Sequence, residues 1–291
     1  MIIALHGRPF KNDSILFIEK IIDQMVSEDV ELIVYEPFFK HLKNKGLLQK
    51  ATIYKTQEDL AGADYLFSIG GDGTFLDAVI FSAQLQIPIL GINVGRLGFL
   101  ATVTEENYSG LITRILNKQY RIEERSLIRV ETETGLFGKL NFGLNEFTIT
   151  KRDSASMIIV HTYIDGEFLN SYWADGLIVS TPTGSTGYSL SCGGPVVLPL
   201  TSNFILTPIS PHNLNVRPLL VPESSTLTFE IEGRSKNFLV SLDSRSETVK
   251  PGLKLVVKKE KFNARLVKLE TDSFLNTLRL KLNWGLDVRN Y

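Results

Sequence analysis

One cysteine, Cys192, is all the thiol chemistry this chain contains. No internal disulfide can form, and a reducing compartment, the cytoplasm, is expected. Charge of one sign is missing too: 31 Lys and Arg stand against 32 Asp and Glu, a formal net charge of −1. That balance provides no global attraction to nucleic acid or to an anionic membrane, so neither is expected as a partner. No apolar run reaches the length of a membrane span, and residues 1–7 lack the basic start and long apolar centre of a signal peptide. The four histidines, His6, His41, His161 and His212, are widely spaced, which argues against a transition-metal cluster. There is no internal repeat and no low-complexity segment. What remains is 291 residues, 43% hydrophobic, enough for two domains or one large one.

The texture changes near residue 125. Before it, strand-like runs at residues 2–5, 30–35, 65–69 and 87–92 alternate with helical patterns at 15–26, starting near Asp13 or Ser14, and at 105–118. In the second helix Thr104 is the expected cap, with Leu111, Ile115 and Leu116 on one face. Alternation of this kind predicts a mainly parallel sheet covered on both faces, with ligands beyond the carboxyl ends of its strands. After Arg125 the pattern is β-rich, with strands expected at 127–133, 142–150, 157–164, 177–181, 226–231, 238–242, 253–258 and 264–269. Asp165-Gly166 reads as a hairpin turn. An antiparallel sandwich or pair of packed sheets follows. Residues 273–282 turn helical again, with Phe274, Leu275, Leu278 and Leu282 as the face to be buried. Lys258-Lys259-Glu260-Lys261 reads as a solvated turn.

Two short segments carry chemistry. Gly70-Gly71-Asp72-Gly73-Thr74 follows the apolar run Tyr65-Leu66-Phe67-Ser68-Ile69, with Thr74 placed to cap a helix from Phe75. Glycines allow close backbone approach, and a helix N-terminus presents free N–H groups to phosphate. Asp72 would repel a phosphate, so its role is to accept a proton or hold a metal; the combination points to phosphoryl transfer. The competing reading is a tight Asp-Gly hairpin turn, but residues 75–83 resemble a buried helix rather than a returning strand. The segment is neither a Walker A loop nor a full G-x-G-x-x-G. The second segment, residues 181–191, bears the hydroxyls of Thr181, Thr183, Ser185, Thr186, Tyr188 and Ser191. It suits a polar ligand stacked on Tyr188 as well as it suits an ordinary loop with Thr183 or Ser185 capping a short helix. The spacing of Gly184-Ser185-Thr186-Gly187 excludes a nucleophile elbow.

Taken in order, residues 70–74, Asn145-Glu146, Asp175-Gly176 and Thr181-Pro182-Thr183-Gly184-Ser185-Thr186-Gly187-Tyr188 closely resemble the marks of the NAD kinase family. Arg217-Pro218 and Leu242-Asp243-Ser244-Arg245 look like further family segments, so the resemblance spans nearly the whole chain. The glycine turn alone is shared with phosphofructokinases and lipid kinases; the 181–188 loop makes the likeness specific. It implies an N-terminal Rossmann-like, phosphofructokinase-like α/β domain over 1–125. A C-terminal antiparallel β-sandwich-type domain that binds NAD would cover 126–271, and a helix and tail over 272–291 would return to the first domain.

The resemblance also implies roles. NAD and ATP would be substrates, with Mg²⁺ carried on ATP rather than at a dedicated protein site. Asp72 would be the general base for the 2′-hydroxyl of the adenosine ribose, and Gly70, Gly71, Gly73 and Thr74 would cradle the donor phosphates. Asp72 and Gly73 would also border the NAD. Asn145 would contact adenine and Glu146 the ribose hydroxyls, whereas alone the pair could be an exposed strand edge. Asp175 would bind at the nicotinamide end, Thr183, Thr186 and Gly187 near the adenine, and Tyr188 and Ser191 near sugar and phosphates. Asp243 takes a secondary ligand role. Trp173 stands where bacterial members often have smaller or basic residues; it alters the nicotinamide pocket or fills a core. Gly187, where alanine is common, would widen the adenine site. His212 resembles a family Pro-His segment but reads as a satisfied loop histidine. A homodimer or homotetramer held by the β-rich part is expected. The rival readings are a lipid or sugar kinase of the same superfamily, opposed by Asn145-Glu146 and the 181–191 loop, and a non-catalytic NAD(P)-binding sensor, opposed by the intact Asp72.

Overall fold

The computed structural model describes all residues except 11–13, 153–155, 271 and 285–291. It divides into two units, residues 1–123 with 264–291 and residues 124–263. In the first, β1 (Ile2–Gly7) and β2 (Glu31–Tyr35) flank α1 (Ile15–Ser27), which buries Phe17, Ile18, Ile21, Ile22 and Met25 at helical spacing. Asp13 lies outside the described residues. Ser14 occupies the N-cap position of α1, but its hydroxyl donates to the Val94 carbonyl at 3.0 Å instead of capping. Next come α2 (Glu36–Asn44), β3 (Thr52–Tyr54), β4 (Tyr65–Gly70), α3 (Asp72–Ser82), β5 (Ile89–Asn93), α4 (Leu111–Leu116) and β6 (Tyr120–Arg125).

Two local expectations are corrected here. Helix α3 starts at Asp72, not Phe75, because the Gly71 carbonyl already accepts from the N–H groups of Thr74 and Phe75. Thr74 is therefore buried inside the first turn and caps nothing. The helix expected over 105–118 shrinks to α4. Asn107 Oδ1 accepts from the Thr104 N–H at 2.7 Å, forming a local turn, and Gly110 at φ 67° lies in the left-handed region, where a right-handed helix cannot continue. Leu111 and Ile115 are buried, but Leu116 is exposed.

The second unit contains β7 (Ile128–Glu131), β8 (Phe142–Gly143), β9 (Glu146–Lys151), β10 (Ile158–Ile164), β11 (Glu167–Ala174), β12 (Gly176–Ser180), the short helix α5 (Tyr188–Ser191), β13 (Asn203–Ile209), β14 (Leu219–Pro222), β15 (Leu227–Glu232), β16 (Phe238–Leu242), β17 (Arg245–Val249) and β18 (Leu255–Lys259). They form two six-stranded sheets, ordered β11-β10-β15-β18-β7-β8 and β14-β13-β12-β9-β16-β17. Val160, Phe229 and Val257 from one sheet share a core with Phe147, Val179 and Phe204 from the other, as in a sandwich. The hairpin turn at Asp165-Gly166 has φ of 51° and 88°, the left-handed pair such a turn needs. The strand expected over 142–150 is broken: β8 pairs with β7, whereas β9 pairs with β12 and β16. The chain changes sheets at Leu144-Asn145. Lys258 and Lys259 end β18, and Glu260 is buried 3.6 Å from Arg129, so the charged run is not a solvated turn.

The chain then re-enters the first unit. Strand β19 (Ala264–Leu269) pairs in parallel with β5, and the seven-stranded sheet has the order β3-β2-β1-β4-β5-β19-β6. That strand goes with the first unit rather than with the 126–271 segment drawn from the sequence. Helix α6 (Phe274–Leu282) is capped by Ser273, whose side chain accepts from the Asn276 N–H. Its buried stripe is narrower than the sequence suggests: Leu278 is buried, while Leu275 and Leu282 are exposed. No helix among the described residues is long and apolar enough to cross a membrane.

Candidate active site

In the first unit the strand order reverses between β1 and β4, and β4 runs straight into the glycine turn. A crevice at such a reversal is the standing ligand position of open parallel sheets. Here it is a cavity of about 560 Å³ lined by Arg8, Gly70, Gly71, Thr74 and Gly95, among others. The first N–H groups of α3 have no intrahelical acceptor, and the helix dipole favours an anion there.

Asp72 has a second set of contacts that the sequence reading missed. Its carboxylate accepts from the backbone N–H groups of Phe99 at 2.9 Å, Leu100 at 3.0 Å and Ala101 at 3.2 Å. A side chain at Gly98 would overlap that carboxylate. Asn93 shapes the same loop: its Nδ2 donates to the carbonyls of Arg96 and Ala101, and its Oδ1 accepts from the Gly95 N–H. A carboxylate has about four acceptor positions, so three N–H donors fix its direction and leave one position unused by them. The signal for this loop was present as Asn93, Gly95 and Gly98 directly after an apolar strand.

In the second unit the sheet crossing at Leu144-Asn145 is pinned from two sides. Buried Asp243 accepts from the N–H groups of Leu144 at 2.7 Å, Asn145 at 2.8 Å and Glu146 at 3.1 Å. Burial pushes its carboxyl up, against those three donors. Asp243 thus holds the backbone of the crossing in place. From the other side, the Thr181 hydroxyl donates to the Leu144 carbonyl at 2.5 Å, and the Thr181 N–H donates to the Asn145 carbonyl. Gly184 packs so tightly on the Asn145 carbonyl that no side chain fits.

The pinned pair carries the site's most telling feature. Asn145 Oδ1 and Glu146 Oε2 are both buried without a hydrogen-bond partner. Two orphaned acceptors side by side are costly unless a ligand supplies donors. Burial, assisted by the charge of Asp243, pushes the Glu146 carboxyl up to about 8. A Cβ at Gly187 would lie 3.1 Å from Glu146 Oε2, so glycine keeps the space beside these acceptors open. The exposed-edge reading of Asn145-Glu146 therefore does not hold.

The remaining candidates take varied places. Thr183 is buried and accepts from Arg125 Nη1 at 3.3 Å, a partner not read from the sequence. Neither Thr183 nor Ser185 caps its short helix; Thr181 Oγ1 accepts from the Gly184 N–H instead, and Ser185 clips to the Val197 backbone. Thr186 donates back to the Thr183 carbonyl at 3.4 Å. Tyr188 and Ser191 are exposed. Asp175 stands at the opposite end of β12 from Ser180, about 17 Å of strand away. It is paired with Lys151 at 2.7 Å. Burial raises the Tyr188 hydroxyl, followed by Cys192 and the charge of Asp175, so the loop and Asp175 lie within electrostatic reach. Trp173 is 51% exposed, so it does not fill a core, and its carbonyl accepts from the His212 N–H.

An anion-binding turn with a directed carboxylate and a sandwich with orphaned acceptors define a two-unit phosphotransferase. The comparisons narrow this. Residues 11–120 match the ATP-NAD kinase N-terminal domain and residues 144–269 the ATP-NAD kinase C-terminal domain. The chain is 55% identical over 292 residues to an NAD kinase of Cytophaga hutchinsonii, covering 100% of both. It is 45% identical over 296 residues to one of Flavobacterium johnsoniae, again covering 100% of both. It superimposes on an NAD kinase from Archaeoglobus fulgidus in complex with ATP with a TM-score of 0.76 and 26% identity, over 97% of this chain and 99% of that one. It shares its fold with a yeast NADH kinase complexed with NADH, with a TM-score of 0.88 and 22% identity over 100% and 89% of the two chains. The chain belongs to the NAD kinase family.

Proposed function

We propose that this chain transfers the terminal phosphoryl group of ATP to the 2′-hydroxyl of the adenosine ribose of NAD, giving NADP. The observation that carries the reading is the pair of buried acceptors, Asn145 Oδ1 and Glu146 Oε2, to which no protein group donates. An adenine amino group and ribose hydroxyls are such donors. Asp72 is the general base: a sugar hydroxyl is a poor nucleophile, and the three loop N–H groups aim the carboxylate. Gly70, Gly71, Gly73 and Thr74 receive the donor phosphates, and Thr183, Thr186, Gly187, Tyr188, Ser191 and Asp175 complete the NAD site.

Mg²⁺ carried with ATP would supply positive charge to offset that of the donor phosphates. The reaction belongs in the cytoplasm, in keeping with a single cysteine. Assembly into a homo-oligomer through the second unit is supported by exposed Leu198, Leu200 and Leu214 and by exposed Leu219 and Leu220 on edge strand β14. The test is a coupled assay for NADP from NAD, ATP and Mg²⁺. Folded protein that forms none overturns the reading.

A further inference from the structure

We propose that Arg8 is the cation that captures the donor's polyphosphate chain, and that Asp77 parks it beside the glycine turn until the donor arrives. The proposal rests on the ATP-dependent transfer above. Arg8 directly follows β1 and lines the cavity of about 560 Å³ together with Gly70, Gly71, Thr74 and Gly95. Among the described residues lining that cavity it is the one cation, and no carboxylate is among them. Backbone N–H groups and a helix end present only partial charges to a ligand that carries several full ones.

The Arg8 guanidinium donates to Asp77 Oδ2 on α3, a little over one turn beyond Asp72. The Arg8 side chain is 64% exposed and that of Asp77 23%. An ion pair this exposed is weak and easily given up. A phosphate offers the planar guanidinium two parallel charge-assisted bonds in exchange. The pair thus holds a long, flexible side chain near the cavity without filling it.

The full chain is titrated with inorganic tripolyphosphate by calorimetry, and KM is measured for both substrates. Arg8→Ala should weaken tripolyphosphate binding roughly tenfold or more and raise KM for ATP to match, with KM for NAD within about twofold. Arg8→Lys should recover part of the loss, since it restores charge without the fork. Asp77→Asn should leave tripolyphosphate affinity equal or tighter, because it frees Arg8. A wild-type chain that binds tripolyphosphate through Arg8 but forms no NADP would sink the proposed function and leave this assignment standing. Unchanged tripolyphosphate affinity and unchanged KM for ATP in Arg8→Ala overturn the assignment, as does an Asp77→Asn variant as weak as Arg8→Ala.

Discussion

If Glu146 accepts from the ribose of NAD as proposed, NAD binding should be a proton-linked event. Its carboxyl is held up to about 8 by burial and by the nearby Asp243 charge, and no protein group donates to Oε2. Ribose hydroxyls donate best to a carboxylate, so binding favours the ionised form. At pH 7 only about a tenth of Glu146 is ionised, and at pH 9 about nine-tenths. The Kd for NAD should therefore tighten roughly tenfold between these pH values, about 1.4 kcal/mol. Calorimetry at pH 7 in two buffers of different ionisation enthalpy should show release of close to one proton per NAD bound. Glu146→Gln should bind NAD more weakly at pH 9 and lose most of this pH dependence. A wild-type Kd that stays flat from pH 7 to 9, with no proton released, would refute the reasoning.

The same shift leaves a mark on folding that needs no ligand. In the unfolded chain Glu146 ionises near its ordinary value, while in the fold it stays neutral up to about 8. Folding therefore takes up a proton between those pH values, and stability falls as pH rises through the window, by at most about 1.4 kcal/mol per unit. Glu146→Gln should raise the denaturation midpoint at pH 8 and leave it nearly unchanged at pH 4.

Asp72→Asn should lower kcat by roughly 10² or more, with the Kd for NAD within several-fold, as single-turnover kinetics and calorimetry would show; near-normal turnover removes Asp72 as the base. Gly98→Ala should lower kcat while circular dichroism stays unchanged, because the new methyl displaces the Asp72 carboxylate; full activity would show that the loop does not position it. His6 is buried against Tyr54, its imidazole lowered to about 3 by burial first and by Arg8 second. Since the unfolded chain protonates it near 6.5, stability should fall with pH below that value by up to about 1.4 kcal/mol per unit, a slope in urea titrations that His6→Gln should flatten. Light scattering at micromolar concentration should report a multiple of 32.6 kDa; a stable monomer contradicts assembly through the second unit.

What the sequence revealed and what it concealed follow from the range of the forces involved. The glycine turn was legible because its chemistry is local: an apolar strand, three glycines and one acid in five residues. The hairpin at Asp165-Gly166 was legible for the same reason. Strands β11 and β14 were not: β11 mixes polar and apolar residues, β14 is a four-residue run ending in Pro222, and both lie at sheet edges, where pairing with a neighbour decides the conformation. The break between β8 and β9 was hidden by a continuous strand-like pattern. It is held by Asp243, almost a hundred residues away, whose three N–H bonds favour the crossing over a straight strand. The grip of Asp72 on the Phe99–Ala101 backbone is of the same kind: the acceptor is a side chain, but the donors are main-chain groups that no residue type announces. The two acids play opposite parts. Asp243 gives three acceptor positions to the chain and shapes a loop in which Asn145 and Glu146 are left without donors. Asp72 also takes three N–H bonds, but at the first position of a helix that follows the glycine turn. A lone acid among glycines announces itself in a sequence. Whether it holds a loop or takes a proton is decided by donors that only the fold brings to it.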